Sequence, residues 1–186
     1  MRVGWWSLLA MLGLAANPAS AAEWRVDPAH STLVIEFDQG GRPVTATFER
    51  FAAKIRFDPA NLAGSSAEID VDLTSFRSDN AQRDQMATAG EFLAAGSGAE
   101  AVYHARGFVA EGGDHYRVEA DLAMKGVTRQ LSHEATITID GTRARARGAV
   151  VLDRLDYGVG AGQFPRGDQV GLKVTVRFDL AAARAG

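Results

Sequence analysis

LAMKGVTRQL, residues 122–131, is the stretch of sequence that decides the fold. Apolar and polar residues alternate in the segment before it, from Tyr116 to Leu122, and a second alternating segment follows at residues 135–139. Lys125 and Gly126 lie between the two segments, and glycine readily adopts the positive φ that a tight hairpin turn requires. The stretch therefore predicts a β-hairpin that turns at the rim of an antiparallel sheet.

Alternation with a period of two continues through most of the chain. It is clearest at residues 170–180, where six apolar residues are each separated by one other residue. This period is typical of antiparallel strands that have one face in a core and the other in water. Residues 78–95 interrupt the period, and we expect a short helix there, capped by Ser78 or Asp79 and ending near Thr88.

These signals predict an all-β fold, namely an antiparallel β-barrel of about eight strands with one short helix. The chain has 186 residues, which is the length of one domain, and its 20 glycines suit a fold with many turns. A barrel of about eight strands is either filled by its own side chains or encloses one small ligand. The mixture of large and small residues at the inward positions leaves both alternatives open.

The first residues have the pattern of a secretory signal peptide. Arg2 precedes an apolar run from Trp5 to Ala16, and residues 19–21 are small enough for a cleavage site. The run is shorter than the roughly 18 residues that a membrane-spanning helix needs. We therefore predict a signal peptide at residues 1–21 and an exported, periplasmic domain at residues 22–186, with an uncleaved anchor as the alternative.

The composition excludes several classes of function. The formal net charge is −3, so the chain lacks the basic excess of nucleic-acid-binding proteins, and we expect no nucleic-acid partner. It contains no cysteine, which excludes thiol catalysis, zinc–thiolate sites and redox pairs. It also contains no nucleophile elbow, phosphate-binding loop or dinucleotide fingerprint.

The polar side chains do not form a recognisable catalytic or metal-binding pattern. The four histidines are His30, His104, His115 and His133. Their positions show no metal-ligand spacing, and each is interpreted as a residue of a turn or of a solvated strand. Asp153-Arg154 and Arg83-Asp84 fit catalytic pairs, but ion pairs that fix a strand end and a helix start are the favoured interpretation. We therefore predict that the protein is not an enzyme and binds no metal.

Arg143, Arg145 and Arg147 form a basic row on one face of a predicted strand. A solvated face is the favoured interpretation of this row. The alternative is a surface on which an anionic partner docks, and high salt would weaken such docking because it screens exposed charges.

Several short motifs follow one another in a characteristic order. They are Trp24-x-Val26-Asp27-Pro28-x-His30-Ser31, the stretch from Leu122 to Arg129, the stretch from Asp153 to Gly160, and Gly167-Asp168-x-Val170. Between them lie Phe57-Asp58-Pro59, Ser75, Arg83-Asp84 and Phe92. In this order, over about residues 23–180, they resemble the YceI-like family of bacterial polyisoprenoid-binding proteins.

The resemblance implies an exported, lipocalin-like barrel that holds a polyisoprenoid or quinone-like chain inside it, for transport or storage. The expected ligand is an isoprenoid lipid or an isoprenoid quinone. Some similar family members stand beside cytochrome b561-type membrane proteins or are fused to them. The alternative function is therefore a non-catalytic docking module for a membrane redox partner of this type, and a homodimer is left open.

We predict a ligand site with an apolar lining and two candidate head-group contacts. The apolar lining comprises Phe37, Phe51, Ile55, Phe57, Ile69, Val71, Phe92, Tyr103, Tyr116, Leu122, Met124, Tyr157, Val174 and Val176. Arg83 and Arg154 are the candidate contacts to a polar head group, with structural pairing as the favoured alternative for both. The chain departs from the family at Gln39, where many members have His, and at Leu93-Ala94, where Phe and Asp are usual. We expect these departures to shape the mouth of the pocket.

Overall fold

The computed structural model describes residues 21–96 and 99–186. The predicted signal peptide, residues 1–21, lies outside the described residues except for Ala21. Among the residues that are described, no helix has the length and apolar character needed to cross a membrane.

The described residues form one sheet of eleven β-strands and a single α-helix. The strands are β1 (Glu23–Val26), β2 (Thr32–Gln39), β3 (Arg42–Phe48), β4 (Phe51–Arg56), β5 (Ser66–Asp72), β6 (Phe76–Arg77), β7 (Glu100–Gly112), β8 (His115–Met124), β9 (Val127–Asp140), β10 (Arg143–Asp153) and β11 (Val170–Arg184). The helix α1 (Ala81–Thr88) lies between β6 and β7.

A closed ring is formed by eight of the strands within the described ranges, in the order β1-β4-β5-β7-β8-β9-β10-β11. The ring closes because the last residues of β11 pair with β1, with Arg184 opposite Trp24. Earlier in β11, residues 170–179 pair with β2, which in turn pairs with β3. All of these pairings are antiparallel. The predicted antiparallel barrel of about eight strands with one short helix is therefore confirmed.

The hairpin predicted at residues 122–131 joins β8 to β9. Met124 lies opposite Val127, and the two residues between them have positive φ, 52° at Lys125 and 75° at Gly126. Positive φ at both central residues is the geometry of a type I′ turn, whose twist matches that of the flanking strands. The hairpin prediction is thus confirmed.

The helix α1 begins one or two residues later than predicted. Asn80 caps it, because its side-chain oxygen accepts a hydrogen bond from the backbone N–H of Arg83 at 2.9 Å. Asp79 instead has a φ of 56°, and the Ser78 hydroxyl donates to the Asp84 carboxylate at 2.6 Å. Ser, Asp and Asn can each cap a helix, and in this structure Asn80 does so.

The two ends of the barrel are closed by different aromatic clusters. At one end, Phe57 packs edge-to-face against Phe108 and Tyr116, with ring centroids 5.2 and 5.3 Å apart. Trp24 completes this closed-end cluster, and its indole Nε1 donates to the Phe57 carbonyl at 2.9 Å. At the other end, where β8 and β9 meet, Phe92 packs with other apolar side chains. The candidate site lies between these two clusters.

Candidate ligand-binding cavity

A cavity of about 310 Å³ occupies the interior of the barrel. Small buried side chains form part of the wall on β5, β7 and β9, namely Ala67, Ala105 and Ala135, and their small volume leaves space in the interior. Most of the remaining wall is aliphatic or aromatic. Polar side chains on the wall include Gln39, Arg83, Tyr103, His133 and Arg154. The interior can therefore take an apolar molecule and offers few groups that could bind a polar one.

The structure brings most of the predicted lining together on the cavity wall. The wall includes Phe37, Ile55, Phe57, Ile69, Val71, Phe92, Tyr103, Leu122, Met124, Tyr157, Val174 and Val176. These residues come from β2, β4, β5, β7, β8 and β11, and from segments between strands at both ends of the ring. That they contact a ligand stays a prediction.

Phe51 and Tyr116 were predicted on the wall, but the structure places both outside it. Tyr116 is only 6% exposed, and it packs behind Phe57 in the closed-end cluster. Phe51 is half-buried at the first position of β4, directly after the chain leaves β3. Alternation identifies the inner face of a strand, but it does not show where along the strand the cavity ends.

Arg154 is buried, with 4% of its surface exposed, at the start of a short 3₁₀ helix after β10. Its Nε donates to the Gly171 carbonyl at 3.0 Å and its Nη1 to the Val159 carbonyl at 2.7 Å. Its Nη2 donates to the carbonyls of Phe164 and Val170. Burial lowers the pKa of the Arg154 guanidinium. Since four of the five N–H donors that arginine has are used on carbonyls, this geometry favours the structural interpretation of Arg154.

Arg83 reaches the cavity from α1. Its Nε donates to the side-chain oxygen of Gln39 at 2.9 Å, and its Nη1 donates to the carbonyl and hydroxyl oxygens of Ser78, both at 3.2 Å. Gln39 and Arg83 both line the cavity, so this guanidinium is held in place at the wall. A contact between Arg83 and a ligand head group stays a prediction.

We call the end of the cavity beside the β8–β9 hairpin its mouth. It is covered by a plug, which we define as Phe92 together with Tyr157, Val159 and Phe164. The rings of Phe92 and Phe164 lie 5.7 Å apart. Lys125, in the hairpin turn, joins the elements of the plug. Its Nζ donates to the Glu91 carbonyl and to the Gly158 carbonyl, each at 3.2 Å. These two carbonyls lie next to the plug on separate segments of the chain. The sequence identified Lys125 as a turn residue but gave no sign of these contacts.

His133 was interpreted as a residue of a turn or a solvated strand, but the structure places it on the cavity wall. Its Nε2 lies 2.8 Å from the hydroxyl of Tyr103, which also lines the cavity. Burial lowers the pKa of His133 and raises that of Tyr103. A sequence signal existed, because His133 shares its strand face with Leu131 and Ala135.

The ion pairs favoured for Arg83-Asp84 and Asp153-Arg154 are not formed, because each carboxylate contacts other groups, although the charge of Asp153 opposes the lowering of the Arg154 pKa by burial. The Asp84 carboxylate accepts hydrogen bonds from the backbone N–H and the hydroxyl of Ser78, at 2.9 and 2.6 Å. Asp153 caps the 3₁₀ helix through the N–H of Leu155 at 3.0 Å and lies 3.4 Å from the ammonium of Lys173. In the part of the chain that is described, no group of three or more His, Asp or Glu side chains could hold a metal ion.

The basic row is partly neutralised by an acidic residue on β11. The Arg145 guanidinium forms a two-point contact with the Asp179 carboxylate, at 2.6 and 2.8 Å, and Arg147 approaches the same carboxylate at 3.1 Å. These arginines hold the pKa of Asp179 below its ordinary value, with hydrogen bonding to Arg145 as the main cause. The row therefore presents less free positive charge than its sequence indicates.

Comparison with known proteins agrees with this architecture. The model of the YceI-like domain matches residues 24–182. A UPF0312 protein of Vibrio parahaemolyticus is 29% identical over 167 residues, which cover 88% of this chain and 77% of that protein. A UPF0312 protein of Pseudomonas fluorescens is 29% identical over 159 residues, which cover 78% of this chain and 80% of that protein.

Two solved structures share the fold. BcnA of Burkholderia cenocepacia superposes with a TM-score of 0.81 at 25% identity, covering 85% of this chain and 99% of BcnA. A polyisoprenoid binding domain from Saccharophagus degradans, implicated in plant cell wall breakdown, gives a TM-score of 0.72 at 18% identity, covering 89% of this chain and 99% of that domain. Because the family model spans nearly all of the barrel, the protein belongs to the YceI-like domain family.

Proposed function

We propose that this protein is an exported, non-catalytic lipid carrier that holds a polyisoprenoid or quinone-like chain inside its barrel for transport or storage. The observation that carries the proposal is the apolar cavity of about 310 Å³ between the closed-end cluster and the plug. The shared fold of the Saccharophagus degradans domain, which is described as polyisoprenoid-binding, supports the same class of ligand.

The hydrophobic effect is sufficient to hold such a chain without a catalytic or charged residue. Removing apolar surface from water contributes ~25 cal/mol per Å², so a ligand that buries ~600 Å² gains ~15 kcal/mol before costs. Loss of translational freedom and ordering of a flexible chain oppose this gain and reduce the net affinity. A long, apolar and unbranched or methyl-branched chain fits this balance better than a polar metabolite does, because the wall offers little to replace lost hydrogen bonds with water.

Export to the periplasm rests on the signal pattern at residues 1–21 and is part of the proposal. A membrane redox partner of the cytochrome b561 type and a homodimer stay predictions. The docking alternative predicts that the basic row contacts the partner, and Asp179 already neutralises much of the charge at Arg145 and Arg147. The lipid carrier is therefore the better-supported of the two functions.

The carrier function can be tested by identifying what the protein carries. The mature protein would be purified from the native periplasm and denatured, and its organic extract would be analysed by mass spectrometry. We expect a stoichiometric isoprenoid lipid or quinone. An empty extract, repeated after incubation of the protein with membrane lipids, would contradict the proposal.

A matched pair of variants shows whether the lipid lies inside the barrel. Val174 lines the cavity, whereas Val151 is 61% exposed. We expect Val174→Arg to abolish lipid retention, since it places a charge in an apolar interior, and Val151→Arg to retain the lipid. Circular dichroism must show that both variants keep the barrel. Equal lipid content in the two folded variants would place the lipid elsewhere.

A further inference from the structure

Two polar side chains meet on a wall that is otherwise largely apolar. Tyr103 on β7 and His133 on β9 both line the cavity, and they are joined by a 2.8 Å hydrogen bond. Ala120 lies between them on β8, with no exposed surface, and it does not line the cavity. A small residue at this position lets the two side chains meet over the intervening strand. The Tyr103–His133 pair therefore covers the wall and faces the interior.

The contacts of His133 determine which atom of the pair carries which proton. Its Nδ1 lies 3.1 Å from the backbone carbonyl oxygen of Glu134, which can only accept a hydrogen bond. Nδ1 must therefore carry the proton. A neutral imidazole has one N–H, so Nε2 is an acceptor, and the Tyr103 hydroxyl donates to it. The phenol oxygen has then used its only hydrogen and retains only acceptor lone pairs.

The surroundings keep His133 in this neutral form. Its ring packs edge-to-face against Phe178, with centroids 5.6 Å apart. Burial lowers the pKa of His133, although its backbone contact to Glu134 and the charge of Glu119 oppose this effect. Tyr103 itself stays protonated, because burial raises its pKa. The assignment of donor and acceptor therefore holds at neutral pH.

We infer that the Tyr103 oxygen is a hydrogen-bond-accepting site inside the cavity, which selects lipids that carry a hydroxyl group over lipids that carry a carbonyl group at the same position. The inference rests on the proposed carrier function and names the chemical class of its ligand. An alcohol or phenol donates its hydrogen to the Tyr103 oxygen. A ketone, aldehyde or quinone oxygen faces lone pairs instead, and neither oxygen is then satisfied.

The test compares two ligands that share one carbon skeleton, geranylgeraniol and geranylgeranial. Both would compete with a fluorescent apolar probe for the refolded, lipid-free mature protein. We expect the alcohol to bind about tenfold more tightly than the aldehyde, which is the effect of one satisfied hydrogen bond against one unsatisfied acceptor. In the double variant Tyr103→Phe with His133→Leu, which removes both the Tyr103 oxygen and the His133 Nε2 acceptor from the wall, the ratio should fall to about one. Tyr116→Phe removes a phenol hydroxyl in the closed-end cluster instead and should keep the wild-type ratio.

A second variant gives a gain that misfolding cannot produce. In His133→Leu the Tyr103 hydroxyl loses its acceptor, so its hydrogen becomes free to donate to a ligand. We expect the aldehyde to bind more tightly to this variant than to the wild type. An unchanged ratio in the double variant, or no gain of aldehyde affinity in His133→Leu, would overturn the inference. If both ligands bind the wild type equally, only this inference fails, whereas binding of neither would overturn the carrier function with it.

Discussion

Gly148 shows how closely single atoms are packed around the cavity. A Cβ atom at this position would lie 2.5 Å from the ring of Phe178 and 2.6 Å from the backbone carbonyl of Glu134. Phe178 lines the cavity and packs against His133, and the carbonyl belongs to the neighbouring strand. A hydrogen atom is thus the only side chain that allows Phe178 to lie over β10. The shape of the wall therefore depends on the lack of a side chain at Gly148 as well as on the aromatic rings.

Gly148→Ala should accordingly lower the free energy of unfolding by about 1–3 kcal/mol, because the backbone carbonyl cannot move aside. Gly107→Ala is the matched control, since its Cβ would meet only the Glu119 side chain at 3.9 Å. It should change stability by less than about 1 kcal/mol. Urea unfolding of both variants measures the difference, and equal stabilities would show that the clash at Gly148 is relieved without cost.

The hairpin between β8 and β9 is the element that holds the plug in place. Lys125 has a positive φ, which is unfavourable for a residue with a side chain, and its ammonium group bonds carbonyls on both sides of the mouth. The plug is further fixed by a backbone hydrogen bond from the N–H of Gly160 to the Glu91 carbonyl at 2.9 Å. One turn residue thus connects the segment after α1 with the loop before β11.

Removal of the Lys125 ammonium should therefore loosen the mouth while leaving the barrel intact. In Lys125→Met we expect faster hydrogen exchange at the Gly160 amide and faster release of a bound lipid, with little change at amides in the middle of β8. Lys54→Met is the control, because Lys54 is highly exposed and pairs with Glu68 away from the mouth. If exchange at Gly160 rises equally in both variants, Lys125 does not hold the plug.

At the scale of the whole molecule, the neutral His133 makes stability depend on pH. Burial lowers its pKa in the folded protein below the ordinary value of 6.5. The unfolded chain then binds a proton more readily than the folded one, so stability is lost as the pH falls below about 6.5. The loss is complete once the pH lies below the folded-state pKa.

We expect His133→Leu to reduce the dependence of the unfolding free energy on pH between about pH 7 and pH 5, whereas the same substitution at the exposed His115 should leave that dependence unchanged. Unfolding free energies measured across this range give the answer, and equal slopes in the wild type and His133→Leu would contradict it.

The sequence predicted what is local and missed what depends on three dimensions. The hairpin at residues 122–131 and the strand β11 were predicted from period-two alternation, a signal that is visible within a short segment of sequence. The Tyr103–His133 pair was not, because its partners are joined only when three strands are placed side by side with a definite stagger. The carbonyls that surround Arg154 could not be predicted either, because residue types do not show which backbone groups will contact a side chain. Alternation also does not show how far along a strand the cavity extends, and this is why Tyr116 was predicted on the wall.

Closure of the ring depends on β11, the last strand in the described part of the chain. β11 pairs with β10 on one side and with both β2 and β1 on the other, so it joins the first and the last strands of the described residues. Until it is made, the edges of β10 and β2 have no neighbour within the sheet, and unpaired edges can pair with other chains. Contacts between such distant residues are also slow to form, since a long loop must first close. The interior is consequently not enclosed until β11 has paired with β1, and a lipid can be held inside only after the barrel has closed.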